Sequence, residues 1–295
     1  MKSLRWLGLA GLCATSVWGA PEGASTNGDV RLLDDFSAVG RLGFFSNQDD
    51  EFQDDRYVSE GTVLLDFDLL SVGERWSLWS RFGLVVDLGK SVADNLPFSP
   101  KEMGYEISPF VEYRRESHLY RFGWNHACQH LIYKDHEEPW YATAGSNAVP
   151  PDVYWNRLYL GAGRAEVRPE VFRETTFGSA PPRLLWYAEI GGYLQSFPGM
   201  DDDSLYGHND WVADAKADLK LRLLSGGKWA LFATSLTHVL LDGEDEFFAR
   251  EQLQLEMAFA SRGYGSSIYA GWHAVDEHPR DSKEGMVEFG AAFYY

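Results

Sequence analysis

The chain has 295 residues, 44 of them acidic against 26 basic, and a formal net charge of −18 at pH 7. Such a balance excludes nucleic acid as a partner, because a phosphate backbone would be repelled. The apolar N-terminal stretch is too short to cross a bilayer as a helix and no later stretch reaches the ~20 apolar residues such a span needs, which excludes a helical membrane protein.

In chain order, the first element is a secretory signal over residues 1–20. Lys2 and Arg5 precede the apolar run Trp6, Leu7, Leu9, Ala10 and Leu12, which ends in small residues at Gly19 and Ala20. Removal of Lys2 and Arg5 leaves 24 basic residues against the same 44 acidic ones. Of the two cysteines, Cys13 lies in the signal behind Leu12, where a lipoprotein signal wants a small residue. Cys128 is then the one thiol of an exported chain, and an unpaired thiol in an oxidising compartment is either buried, paired between molecules or chemically employed.

Residues 21–295 read as one domain of alternating segments separated by turns rich in Gly, Pro, Asp and Asn. The segments lie near 30–46, 61–71, 75–89, 104–115, 117–130, 152–164, 183–196, 211–224, 228–241, 247–262, 264–276 and 284–295. In the third, Trp76, Leu78, Phe82, Leu84, Val86 and Leu88 take one face and Trp79, Arg81 and Asp87 the other. In the eighth, Ala213, Ala215, Ala217, Leu219, Leu221 and Leu223 oppose Asp214, Lys216, Asp218, Lys220 and Arg222. One face suits lipid and the other water. The last segment sets Val287, Phe289, Ala291, Phe293 and Tyr295 on one face, and an alternating run ending in an aromatic is what the barrel-assembly machinery recognises. The expected fold is all-β, a transmembrane antiparallel β-barrel of about 12 strands in the outer membrane of a Gram-negative-type cell. Charges of both signs on the inner faces, among them Asp66, Asp68, Arg81, Glu112, Arg114, Arg121, Arg157, Glu189, Lys216 and Arg222, predict a lumen filled by ion pairs rather than a wide pore. With both termini in the periplasm, the long connection from about Leu131 to Pro151 is extracellular.

The fifth and sixth segments carry the chemistry. In Tyr120-Arg121-Phe122-Gly123-Trp124-Asn125-His126-Ala127-Cys128, parity sends Arg121 and Asn125 inward and Trp124, His126 and Cys128 outward. In Trp155-Asn156-Arg157-Leu158-Tyr159, Asn156 shares the outward parity of Leu158. A Cys, a His and an Asn are poor lipid contacts, but together they supply a nucleophile, a base and an amide to orient the base, at the depth where lipid esters lie.

These residues resemble the outer-membrane phospholipases A, whose motif is Asn-His-x-Ser followed by Trp-Asn-Arg-Leu-Tyr on the next strand. Asn125, His126, Ala127 and Cys128 match the first part with Cys in place of Ser, and residues 155–159 match the second completely. The resemblance implies a twelve-stranded barrel and a phospholipase A1/A2-like ester hydrolase acting on outer-leaflet glycerophospholipids. It assigns His126 as base, Cys128 as nucleophile and Asn156 as the orienting residue. It also implies calcium near the triad, with Asp152, four residues before Asn156, at a ligand position, and a calcium-linked homodimer.

Other readings stand beside this one. The chain could be a barrel of the same fold without activity, structural or narrowly conducting. It could also be a lipid A deacylase in which Glu137 or Glu138 orients the base. A metal shared by His126 and His130 is disfavoured, since four residues of strand hold them roughly 13 Å apart. Trp124, Trp140 and Trp155 read as interface-belt aromatics.

Overall fold

The computed structural model describes residues 29–47, 57–90, 99–131, 152–164, 183–194, 211–243, 245–261, 264–278 and 282–295. The expected signal at 1–20 lies outside them, as do Glu137, Glu138 and Trp140. Every element among the described residues is a strand. A three-residue strand β1, Val30–Leu32, precedes twelve longer ones: β2 Phe36–Ser46, β3 Ser59–Val72, β4 Trp76–Gly89, β5 Ser99–Arg115, β6 His118–Leu131, β7 Asp152–Arg164, β8 Leu184–Leu194, β9 Trp211–Ser225, β10 Trp229–Asp242, β11 Phe247–Ser261, β12 Tyr264–Asp276 and β13 Val287–Tyr294. Each of the twelve pairs antiparallel with its chain neighbours, and β13 pairs with β2 from Val287↔Ser46 to Tyr294↔Val39. The sheet therefore closes on itself, which removes every edge that lipid could not hydrogen-bond.

Two boundaries differ from the sequence reading. The first segment, read as continuous over 30–46, is broken at Leu33, which takes a positive φ of 51°. Val30–Leu32 resumes along the same edge of β3, pairing with Leu70–Val72 just beyond the Phe36↔Phe67 end of the β2 ladder and offset from it by one residue. The fourth segment starts at Ser99 rather than near 104, because Pro100 is held in the ladder opposite Leu88 beside a register shift. A proline is tolerated there because the shift relieves the demand for its missing N–H.

The two faces of the wall are chemically opposite. Outside, Phe122 is 54% exposed, Leu160 58% and Phe293 66%, with Ile107, Leu158, Ile190 and Leu219 continuing the apolar band. Inside, most of the charges form ion pairs. Arg81 donates twice to Asp66, at 2.7 and 2.9 Å. Glu112 accepts from Arg121 at 2.8 Å and from Arg114 at 2.6 Å. Arg157 donates to Asp214 at 2.6 Å and to Glu189 at 2.7 Å, tying β7 to β9 and β8. On the far wall Arg41 pairs with Glu288 and Arg250 with Asp276. The expected ion-paired lumen is thus what the described residues form, with cavities of about 260 and 390 Å3 left between them.

Inward glycines make room for this packing. A Cβ on Gly123 would sit 2.6 Å from the Tyr159 ring, and one on Gly191 would collide with the Arg157 guanidinium. Large side chains therefore lie flat over glycine slots on the neighbouring strand. At one end β3–β4, β5–β6, β9–β10 and β11–β12 are joined by two or three residues, β7–β8 being the long exception there, and β13 runs toward that end. Short turns mark the periplasmic end. The ends of β6 and the start of β7, which flank residues 132–151, are then extracellular.

Candidate active site

β6 and β7 pair without a break from His118↔Arg164 to His130↔Asp152, so the register brings three rungs together on the outer face. Trp124 stands opposite Leu158, His126 opposite Asn156 and Cys128 opposite Tyr154. Facing partners in such a ladder lie about 5 Å apart at Cβ, which is side-chain contact distance. Along β5 the pairing with β6 runs to Ile107↔His126 and resumes at Phe110↔Gly123. The interval is Ser108–Pro109, and Pro109 brings no N–H to the ladder one rung from the imidazole.

Within this frame His126 Nδ1 lies 3.0 Å from Asn156 Oδ1. With the ring proton on Nδ1 donating to that carbonyl, the lone pair is left on Nε2, the arrangement a general base requires. Asn156 shares the outward parity of exposed Leu158 and Leu160 yet is only 2% exposed. His126 and Cys128 are half-buried, and Cys128 is a free thiol. The adjacent residues point the other way: Asn125 and Arg157 both line the 260 Å3 lumen cavity. The structure thus brings His126, Cys128 and Asn156 to one outer patch, as parity predicts.

Asp152 enters only through its backbone, as the rung opposite His130 and on the parity of Tyr154 and Asn156. Among the described residues no group of three or more His, Cys, Asp and Glu side chains gathers as a cation site.

Sequence reasoning missed what surrounds the imidazole. The Trp124 ring stacks on His126 at a centroid distance of 5.9 Å and an interplanar angle of 26°, and the Tyr154 ring lies at 6.5 Å and 33°. His130 meets the Tyr105 ring at 5.9 Å. The i−2 spacing of Trp124 was a usable signal; the approach of Tyr154 depends on the β6–β7 register, which the sequence does not state.

No family model matches the chain, and no curated protein matches it. Solved structures do. An outer membrane channel from Pseudomonas putida F1 is 9% identical, with 94% of this chain and 99% of that one covered and a TM-score of 0.50. The outer membrane phospholipase A from Escherichia coli, as an active-site mutant, is 11% identical over 89% and 90% of the two chains, TM-score 0.46. A Salmonella typhi outer membrane phospholipase dimer with bound calcium is 12% identical over 88% and 90%, TM-score 0.45. At these identities the likeness speaks for the fold alone. A closed twelve-strand wall, apolar outside and ion-paired inside, makes this chain an outer-membrane β-barrel.

Proposed function

We propose that the barrel is an acyl-ester hydrolase of phospholipase A type, working on glycerophospholipids that reach the outer leaflet. The observation that carries the reading is the 3.0 Å His126–Asn156 contact on the outer wall, one rung from the Cys128 thiol. A hydrogen-bonded polar pair of this kind has no structural task on a lipid-facing surface, where apolar side chains would cover the wall at lower cost.

In the reaction, His126 Nε2 takes the proton of the Cys128 thiol, and the thiolate sulfur attacks the ester carbonyl carbon. The carbon–oxygen bond to the glycerol breaks, and His126 returns the proton to the leaving alkoxide. Water, deprotonated by the same imidazole, then cleaves the thioester, freeing the fatty acid and regenerating the thiol. Asn156 holds the tautomer throughout. The Asn156 contact favours this triad over the deacylase alternative, whose Glu137 and Glu138 lie outside the described residues.

Calcium dependence and a homodimer belong to the same proposal. Asp152 would hold the ion, its carboxylate being the hard oxygen donor calcium takes and its rung lying on the face and at the end of the barrel where Asn156 stands. When bound, the ion would supply positive charge for the oxyanion.

The test is fatty-acid release from phospholipid–detergent micelles by the refolded protein, with calcium and with chelator. The expected result is calcium-dependent release by the parent, none by Cys128→Ala, a roughly hundredfold lower kcat for Asn156→Ala, and a dimer by sedimentation in calcium. Release unaffected by Cys128→Ala would overturn the nucleophile. No release by the reduced, folded parent but release by Cys128→Ser would mark a barrel that kept its scaffold and lost its chemistry.

A further inference from the structure

The geometry points to Trp124 and Tyr154 as positioning residues for the His126 imidazole, an inference that rests on the hydrolase reading. Trp124 precedes His126 by two residues on β6, so it flanks the ring on the periplasmic side; Tyr154 stands one rung beyond Asn156 on β7, so it flanks the ring on the extracellular side. Both aromatic planes lie within 33° of the imidazole plane, at 5.9 and 6.5 Å between centroids. The imidazole lies between a stacked indole and a tilted phenol while its Nδ1 meets Asn156.

This arrangement does two things that Asn156 cannot do alone. A single hydrogen bond at a half-exposed position tolerates a ring flip that would exchange Nδ1 for Cδ2 toward Asn156, and aromatic neighbours on both sides obstruct that rotation. The imidazolium formed when the base takes the thiol proton also faces an indole π-cloud within about 6 Å, which favours charge where the reaction creates it. On a lipid-facing wall, where water supplies little orientation, such flanking rings replace the second polar partner that a buried active-site histidine would have.

The test uses the full chain refolded in micelles with 15N-labelled histidine, and four variants: Trp124→Leu, Tyr154→Leu, Trp124→Phe and Tyr154→Phe. The His126 ring signals are assigned by their loss in His126→Gln, and heat-dependent gel mobility reports folding. The expected result is a slowly exchanging Nδ1 proton in the parent, lost in Asn156→Ala, broadened in both Leu variants and retained in both Phe variants. In parallel, kcat falls about fivefold in each Leu variant with KM changed by less than about twofold, and Phe restores it. Folded Leu variants that keep the parent's Nδ1 proton and kcat would overturn the proposal. Should the parent release no fatty acid, the Nδ1 proton decides the question without reference to activity, so failure of this inference and failure of the hydrolase reading stay distinguishable.

Discussion

Consecutive residues of β6 and β7 face two different solvents, and they solve the problem of polar groups in opposite ways. On the inner wall Arg157 is clamped by Asp214 and Glu189, and Asp214 in turn holds His238 at 2.9 Å, so charge is cancelled within a network that spans β7 to β10. On the outer wall one residue earlier, Asn156 meets His126 at 3.0 Å on a face that otherwise carries the apolar band of Ile107, Phe122, Leu158 and Leu160. The inner network explains itself as packing: it fills a lumen that a twelve-strand wall must enclose. The outer group does not, and a polar cluster that packing does not require is where chemistry is to be sought.

The comparison can be broken from either side. The largest expected effect is on the inner wall. Arg157→Met leaves buried Asp214 and partly buried Glu189 without their guanidinium and should destabilise the barrel by about 3–5 kcal/mol, read as a shift in urea unfolding followed by gel mobility. An unchanged midpoint would mean that the lumen is wet enough to solvate Asp214 and Glu189 separately. A charge on the other face should cost slightly less: Phe122→Arg, on the exposed side of β6, is expected to lose about 2–4 kcal/mol. The same urea series sharpens this, since Phe122→Leu keeps the apolar band and should lose little of that.

A smaller effect separates the glycines. Gly191→Ala drives a methyl group into the Arg157 guanidinium and should cost about 1–3 kcal/mol, as overpacking does. Gly40→Ala meets nothing within 4 Å and should fall within about 0.5 kcal/mol of the parent. Equal effects at the two positions would show that Arg157 is not held where the inner network places it.

Much of this architecture was legible because a barrel wall writes its two solvents into the sequence at period two. The run from Ala213 to Leu223 states its strand, its faces and its burial in one alternation, and β9 follows it. What the alternation cannot state is where a strand is interrupted. Val30–Leu32 has no polarity signal separating it from β2, and the interruption falls where the backbone takes a positive φ at Leu33. The glycine slots were equally hidden, since Gly123 and Gly191 reveal their purpose only once Tyr159 and Arg157 are seen lying across them. For the site, parity was enough to put His126, Cys128 and Asn156 on one face, because parity survives any error in register of two. The flanking of His126 by Trp124 and Tyr154 was not, because it depends on which rung of β7 meets which rung of β6 and on the side-chain rotamers at those rungs.

The central claim is that the outer patch performs covalent ester cleavage through Cys128, and intact mass spectrometry tests it most directly. The refolded barrel is quenched in acid seconds after mixing with a single-species phosphatidylcholine and its mass compared with that of Cys128→Ala. The account predicts an added acyl chain on the parent, located to the peptide bearing Cys128, removed by hydroxylamine and absent from the variant. Fatty-acid release with no adduct on Cys128, continuing undiminished in Cys128→Ala, would contradict it.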